Sequence, residues 1–368
     1  MKKHKHTHRQ LLSVMAILVI LTALAACASS SAPHSSSGSA RSVDDTIGIQ
    51  SFSDQEISTL SSLKQVDDYP LYTMHFSGAY ERDADALQSV NRFRKIDLKP
   101  VYSAESTVLS SCSLFAALGK KDGMVYGRNF DWKFSPALLL FADPPDGYAS
   151  VSMVDIAYLG FTRGRNLCDL PIVKRRALLD APFLPFDGMN EWGLVVAMAA
   201  VPGGNLDHTP GKEVISCILV IRKILDTAKT VEEAVGIIGS YNIDMGGLRL
   251  HYLIADASGK VALVEFYRKQ MQIFPNEQLW HLATNFQIAA ISGSPQDKCR
   301  RYDRMRQKLI ESQGALSSNE AMALLESVSK WNTEWSIVYG MSTGLVTVAM
   351  DRKFGKEHSF HLGHLTKK

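Results

Sequence analysis

Cys112 stands in the first of two apolar segments, residues 110–118 and 124–132, which flank a turn of glycine and charged residues. This is the sequence pattern of a β-hairpin with a loop of about five residues. A thiol is an effective nucleophile only as its thiolate, so the chemistry of Cys112 depends on the charged groups that the hairpin brings to it.

Pairing across the hairpin predicts charged neighbours for the cysteine. If the ends of the two apolar segments close the loop, paired residue numbers sum to about 242 and Cys112 lies opposite Phe130, within one residue either way. Arg128 or Asp131 then lies beside the thiol. A guanidinium lowers the pKa of a thiol by favouring the anion, and a carboxylate can orient a second, basic group.

The hairpin contains no histidine, so the local sequence does not indicate a Cys–His pair. A base is available without histidine if the bond between Ser111 and Cys112 is broken. The new α-amine of Cys112 would lie close to its own thiol, and its unperturbed pKa of about 7.7–8.0 suits a base at neutral pH. The alternative interpretation is a buried structural cysteine beside an ion pair.

This hairpin, with the segment GRNFD at residues 127–131, resembles a known family. It is similar to the N-terminal nucleophile (Ntn) hydrolases of the choloylglycine hydrolase and acyl-CoA:6-aminopenicillanate acyltransferase group. Three further matches follow in the family's order: FDGMNEWGLVVA at 186–197, HLATNF at 281–286 and CRRYDR at 299–304. The resemblance implies the four-layer αββα sandwich of that group.

The resemblance implies roles for six side chains: Cys112, Arg128, Asp131, Asn190, Asn285 and Arg301. The cysteine would attack an amide carbonyl while its own amine, oriented by the aspartate, carries the proton. The two asparagines would stabilise the oxyanion and position the amine. The two arginines would keep the thiolate ionised or hold a substrate carboxylate.

The residues themselves leave other interpretations open. Asn190 and Asn285 both suit turns, because asparagine tolerates the left-handed backbone conformation. Arg301 best matches the family, but Arg300 is its neighbour, and arginines on helix surfaces are common.

The implied reaction is hydrolysis of a linear non-peptide amide through an acyl-enzyme on Cys112. The substrate would be a small N-acyl compound, such as a conjugated bile acid, a penicillin or an N-acyl amine. One alternative is an acyltransferase that moves the acyl group to an amine acceptor, and another is a surface lipoprotein that only binds ligand. The reaction requires no metal or organic cofactor. The sequence does not decide whether the protein is a monomer or a homo-oligomer.

The first 26 residues are typical of a secretory signal, with four basic residues before an apolar run over residues 11–26. The sequence LAAC at residues 24–27 resembles a bacterial lipobox, in which Cys27 is lipidated; ordinary cleavage near the alanines is the alternative. The serine-rich stretch over residues 27–44 predicts a flexible tether. We therefore expect a lipid-anchored protein on the extracytoplasmic face of a bacterial cell membrane.

Composition excludes some function classes. The formal charge is +3, and removing the four basic residues of the signal leaves 36 basic against 37 acidic residues, a net charge of −1. The sequence therefore lacks the excess of basic residues that would indicate nucleic-acid binding. The cysteines lack C-x-x-C or histidine-paired spacing, so no zinc site is predicted. A disulfide between Cys168 and Cys299 is left open, and Cys217 is interpreted as core.

The histidines His358, His361 and His364 repeat every third residue, but no carboxylate accompanies them in the sequence. They fall in a predicted edge strand or tail, so their spacing does not favour a metal site.

The remaining pattern predicts an α+β domain in which helices cover two stacked sheets. Residues 45–111 would pack as a pro-segment on a catalytic domain over residues 112–368. Within the pro-segment, Ser53 and Glu56 predict a capped helix, followed by a strand at residues 69–80. Helices are expected at 211–228, 230–241, 299–311 and 319–330. Residues 136–147 are expected to form a loop, and residues 181–186 are not expected to form a central strand.

Overall fold

The computed structural model describes residues 52–80, 112–202, 208–245 and 249–363. The predictions for the signal peptide, the lipidated Cys27, the tether, residues 81–111 and His364 lie outside these ranges. The α-helices within them are α1 (Asp54–Ser61), α2 (Leu219–Thr227), α3 (Val231–Ser240), α4 (Arg300–Glu311) and α5 (Ser318–Ser327). In the same ranges, no helix has the length and apolar character needed to cross a membrane.

Short 3-10 segments occupy Lys121–Gly123, Ile156–Leu159, Leu167–Asp169, Ile172–Phe183 and Ile288–Ala290. The strands are β1 (Lys64–Asp67), β2 (Leu71–Phe76), β3 (Ser113–Ala117), β4 (Val125–Asp131), β5 (Ala137–Ala142), β6 (Ser150–Asp155), β7 (Pro185–Asn190), β8 (Val195–Ala200), β9 (Val214–Ser216), β10 (Asn242–Asp244), β11 (Leu250–Ala255), β12 (Val261–Tyr267), β13 (Gln270–Pro275), β14 (Trp280–Ala283), β15 (Thr333–Gly340), β16 (Leu345–Met350) and β17 (Glu357–His361).

Two stacked sheets form the centre of the structure. One sheet has nine strands in the order β1-β2-β5-β6-β7-β8-β11-β12-β13, and the other has six in the order β14-β3-β4-β15-β16-β17. Pairing is antiparallel except between β2 and β5. A small separate sheet pairs β9 with β10 in parallel.

Helices cover the outer face of each sheet. α2 and α3 pack on the nine-stranded sheet, and α4 and α5 pack on the six-stranded sheet. The inner faces of the two sheets meet, where the hydroxyl of Tyr126 on β4 donates to the carbonyl of Leu253 on β11 at 3.0 Å. The predicted α+β fold with four αββα layers is therefore confirmed.

The hairpin of β3 and β4 has the predicted register. Ser113 pairs with Asn129 and Ala117 with Val125, so paired residue numbers sum to 242. Cys112 precedes β3 directly and falls opposite Phe130. Because side chains alternate along a strand, Cys112 points between the two sheets with the main core, whereas the residue after it points towards the helices.

The described residues before the cysteine belong to the nine-stranded sheet. Ser53 and Glu56 form the predicted capping box of α1. β2 then pairs with β5 along its whole length, and Met74 on β2 is fully buried. Asp67 on β1 accepts a 2.6 Å bond from His358 on β17. This histidine therefore does contact a carboxylate, which lies on a strand far from it in the sequence.

Three element predictions were wrong, each for a packing reason. Residues 137–142 form β5 because this continuous apolar run is almost entirely buried, so it lacks the alternation of a half-exposed strand. Pro185 begins β7, a central strand, at the first position, where proline is tolerated. The helix expected from residue 211 begins only at Leu219, because residues 214–216 pair with β10.

Candidate active site

Cys112 is almost fully buried, with 4% of its surface exposed. Its sulfur accepts a hydrogen bond from the backbone N–H of Asp131 and another from the Arg128 side chain. Burial raises the pKa of the Cys112 thiol, and the nearby guanidinium lowers it by a smaller amount. In the full-length chain the cysteine is therefore a neutral thiol, and nucleophilic attack requires a base.

Arg128 lies on β4 beside the thiol, but its positive charge is balanced by the carboxylate of Asp187. Its Nη1 donates to the carboxylate of Asp187 on β7 and to the carbonyl of Phe186 at 2.6 Å. The hydroxyl of Tyr339 also donates to Asp187. A buried guanidinium needs such a counter-charge, because the cost of desolvating an unpaired ion is high. The pair fixes the Arg128 side chain against Cys112.

Asp131 ends β4 and is fully buried. Its Oδ1 accepts a 2.5 Å bond from Oγ1 of Thr333, whereas its Oδ2 has no hydrogen-bond partner within the described ranges. Burial raises the pKa of Asp131 to about 6, against the opposing effects of the Thr333 bond and the positive charge of Arg301. An unpartnered carboxylate oxygen in this position can accept a hydrogen bond from an amine at Cys112.

This carboxylate predicts a stability change with a definite sign. The folded-state pKa of about 6 exceeds the ordinary value of 3.8, so the contribution of Asp131 to stability is complete below about pH 4 and is lost as the pH rises through about 6. In a Cys112→Ala background, Asp131→Asn should increase the free energy of unfolding at pH 8 by on the order of 2–3 kcal/mol and change it little at pH 4. Urea unfolding at both pH values measures this. A double variant that is less stable at pH 8 contradicts the prediction.

Arg301 on α4 joins the cysteine to Asn285. Its Nη1 donates to the backbone carbonyl of Cys112 at 2.6 Å and to Oγ of Ser113 at 2.9 Å. Its Nη2 donates to Oδ1 of Asn285 at 3.0 Å. Arg300 is exposed on the helix surface. The structure therefore brings Arg301, and not its neighbour, to the cysteine.

Asn285 follows β14 and lies at the level of Cys112, because β14 pairs with β3. One hydrogen of its Nδ2 is donated to the carbonyl of Ala200 at 2.7 Å. The second hydrogen of that amide has no partner among the described residues. The side chain is partly exposed, so this N–H can donate to a developing oxyanion.

Asn190 does not join this group. Its Nδ2 donates to the carbonyls of Leu225 at 3.1 Å and Ala228 at 2.7 Å, at the end of α2. Its Oδ1 accepts from the backbone of Trp192 and Leu194, closing the turn between β7 and β8. All its hydrogen-bonding capacity is used on the outer face of the nine-stranded sheet. The oxyanion role expected for Asn190 does not fit this placement.

The alternation of β7 explains the difference. Asp187 points between the sheets, where it meets Arg128. Gly188 lies under α2, where an added Cβ would come within 2.7 Å of a methyl group of Leu225. Asn190, three residues after Asp187, therefore points outward. Because Asp-Gly in sequence is typical of a turn, the sequence alone does not reveal that these residues alternate along a strand.

Several site residues were missed by the sequence analysis: Ser113, Asp187, Thr333 and Tyr339. Three of them come from β7 and β15, far along the chain from Cys112. The one available signal was Asp187, a charge in an otherwise apolar segment, which a buried strand can hold only with a partner.

The other described cysteines take no part in this site. Cys168, Cys217 and Cys299 are free thiols, so the disulfide left open between Cys168 and Cys299 is not formed here. Cys217 is buried in the main core, as expected. Across the described ranges, no group of three or more His, Cys, Asp or Glu side chains is arranged to hold a metal ion.

Comparison with known proteins finds one matching family model and several solved structures of similar fold. The family model described as acyl-coenzyme A:6-aminopenicillanic acid acyl-transferase matches residues 185–337, which include Asn285 and Arg301. Two variants of conjugated bile acid hydrolase from Clostridium perfringens are similar in structure, with TM-scores of 0.50 and 0.48 and sequence identities of 17% and 16%. Each alignment covers 68% of this chain and 92% of that chain.

Penicillin V acylase from Agrobacterium tumefaciens is a further similar structure, with a TM-score of 0.46, 18% identity, and coverage of 69% of this chain and 92% of that chain. No curated protein matches the sequence. At 17% identity the likeness to the structure with a TM-score of 0.50 concerns the fold alone. The family model adds a match in sequence over residues 185–337.

Proposed function

We propose that this relative of the choloylglycine hydrolase-like Ntn hydrolases is a cysteine-dependent amidohydrolase that cleaves linear, non-peptide amides. One observation carries the proposal. The buried thiol of Cys112 accepts a hydrogen bond from the backbone N–H of Asp131, and the carboxylate oxygen Oδ2 of Asp131 is buried without a partner among the described residues. The Arg301–Asn285 pair holds the backbone of the same cysteine.

The chemistry begins with a cut before Cys112, which converts its backbone nitrogen into a free amine. That amine takes the proton of the thiol, and the resulting thiolate attacks the carbonyl carbon of the amide. The protonated amine then gives its proton to the leaving nitrogen, and an acyl-enzyme remains. Water, activated by the same amine, releases the acid.

The surrounding groups each support one part of this sequence. The free oxygen of Asp131 accepts a hydrogen bond from the amine and orients it. The second amide hydrogen of Asn285 donates to the oxyanion, a contribution of about 3–4 kcal/mol in comparable sites. Arg128 offsets part of the cost of forming a thiolate in a buried place.

The names of similar proteins support the proposed substrate class. The similar structures are named for conjugated bile acids and penicillin V, both of which are N-acyl compounds. An acyltransferase is the second candidate, because the matching family model is named for acyl transfer. In that reaction an amine acceptor replaces water at the acyl-enzyme.

Intact mass and N-terminal sequencing of the purified protein test the proposal first, since they should show a chain that begins at Cys112. Incubation with a panel of N-acyl amides, with and without an added amine, then separates hydrolysis from transfer by the mass of the product. An uncut chain without thiol-dependent turnover would instead support a protein that only binds ligand.

We also propose that the protein is anchored by a lipid on Cys27 on the extracytoplasmic face of the membrane. The support is the sequence of residues 1–44, which lie outside the described residues. The cut before Cys112 then produces two chains, of which the first carries the lipid. The parallel pairing of β2 with β5 and the Asp67–His358 bond would keep the two chains together.

This arrangement predicts membrane-bound activity that depends on β2. Met74→Asp places a charge at a fully buried position of β2, so it should release the chain that begins at Cys112 from the membrane fraction. Met74→Leu conserves the volume and should keep it bound. Cell fractionation, followed by activity and mass measurement of each fraction, checks both. Equal release from the wild type and from Met74→Asp would contradict the prediction.

A further inference from the structure

His251 and Glu265 form a buried polar pair beneath the site. They lie on the adjacent strands β11 and β12, and both side chains are fully buried. Nδ1 of His251 lies 3.1 Å from Oε1 of Glu265. Nothing in the proposed reaction uses this pair, and an apolar interior does not hold a carboxylate without several hydrogen-bond donors.

The other donors come from the segment that follows Asn285. Oε1 of Glu265 accepts from the backbone N–H of Ile288 at 3.0 Å, and Oε2 accepts from that of Ala289 at 2.8 Å. Nε2 of Gln287 donates to the carbonyl of Phe266, also on β12, at 2.8 Å. Three hydrogen bonds therefore attach this segment to one strand, within four residues of Asn285.

The side chain of Asn285 is fixed to the same sheet at its other end. It donates to the carbonyl of Ala200 on β8, and Ala200 pairs with Leu250, the residue before His251. Strands β8, β11 and β12 are consecutive neighbours. The amide of Asn285 is thus held by β8 and the backbone after it by β12, and between these two strands lies β11, whose His251 contacts Glu265.

We infer that His251 and Glu265 are positioning residues, which hold the segment from Asn285 to Ala290 so that the Asn285 amide faces the carbonyl attacked by Cys112. This inference rests on the proposed function. His251 donates from Nδ1 and fixes the carboxylate, and the carboxylate fixes the backbone. Its Nε2 has no hydrogen-bond partner within the described ranges.

Four variants test the inference. Glu265→Gln places an amide where two backbone N–H groups need acceptors, and His251→Leu removes the donor to the carboxylate. His251→Asn is the conservative variant, because its side-chain amide can still donate. Asp256→Asn is the matched control, since Asp256 is a buried acid that accepts the backbone N–H of Val231 at 2.8 Å at the start of α3, in the outer helix layer.

The readouts are kcat and KM on an N-acyl amide and hydrogen exchange over residues 284–291. Glu265→Gln and His251→Leu should lower kcat by about tenfold or more, leave KM within about twofold, and speed exchange in this segment. His251→Asn should stay within about threefold of the wild type, and Asp256→Asn should change neither kcat nor this exchange.

The inference is overturned if Glu265→Gln keeps kcat within twofold, if Asp256→Asn loses as much, or if His251→Asn is as impaired as His251→Leu. Failure of the proposed function gives a different result. In that case the wild type shows no turnover that depends on Cys112, and the inferred role in catalysis fails with it, whatever the exchange data show about anchoring of the segment.

Discussion

Cys112→Ala is expected to leave the chain uncut and to lower amide turnover by at least about a thousandfold. The variant removes both the attacking sulfur and the group that would break the bond before residue 112, while the alanine methyl still fills the position next to Phe130. Intact mass, N-terminal sequencing and product formation from an N-acyl amide measure the two losses separately.

Cys112→Ser and a second cysteine supply the controls. Serine keeps an attacking oxygen of lower nucleophilicity, so partial cutting with much slower turnover is expected. Cys168→Ala should behave like the wild type. Among the described residues, the Cys168 sulfur hydrogen-bonds only the carbonyl of Leu63, at 3.6 Å. Turnover by Cys112→Ala within tenfold of the wild type would exclude the acyl-enzyme.

Arg301→Ala is expected to lower kcat/KM by about a hundredfold. The guanidinium holds the backbone carbonyl of Cys112 and Oδ1 of Asn285, and hydrogen bonds to a charged group contribute about 1.5–3 kcal/mol each. Their loss frees both the amine and the oxyanion donor from their positions. Arg301→Lys keeps the charge but lacks the planar fork that reaches both partners, so an intermediate loss is expected.

Arg300→Ala is the matched control for this prediction. Arg300 precedes Arg301 on the same helix but is exposed, so its removal should change kcat/KM by less than about twofold. Steady-state kinetics on one N-acyl amide compares the variants, and thermal unfolding confirms that each is folded. Equal losses in Arg300→Ala and Arg301→Ala would mean that α4 supports the fold and not the site.

The two asparagines show how a match in sequence differs from a match in position. Both Asn190 and Asn285 fall in segments that match the family in sequence, and in the structure Asn190 ends β7 while Asn285 follows the end of β14. Asn285 follows β14, the strand next to β3, and accepts a hydrogen bond from Arg301, whereas Asn190 closes a turn and binds the end of α2. In the proposed mechanism we therefore expect Asn285, and not Asn190, to donate to the oxyanion.

The balance of charge around the thiol also differs from the expectation. Arg128 was expected to keep the thiolate ionised, but its guanidinium is shared with Asp187, and burial raises the thiol pKa. The amine of a cut chain must consequently remove a proton from a less acidic thiol than the sequence indicated. The proposed mechanism therefore depends most on Oδ2 of Asp131, which has no hydrogen-bond partner among the described residues.

The local features of this protein can be predicted from its amino-acid sequence. The register of the cysteine hairpin, the capping boxes at Ser53 and Ser317, and the hairpin of β11 and β12 follow from residues within a few positions of one another. In each case a short loop or a single turn fixes the geometry, so distant parts of the chain cannot change it.

The set of side chains around the cysteine depends instead on long-range packing. The choice of Arg301 over Arg300, the pairing of Arg128 with Asp187, and the outward direction of Asn190 depend on how two sheets and two helix layers stack. A one-residue change in strand parity turns a side chain to the opposite face, and packing between segments far apart in the sequence sets that parity. For this reason the chemistry could be anticipated from residue types, while its participants could not all be identified.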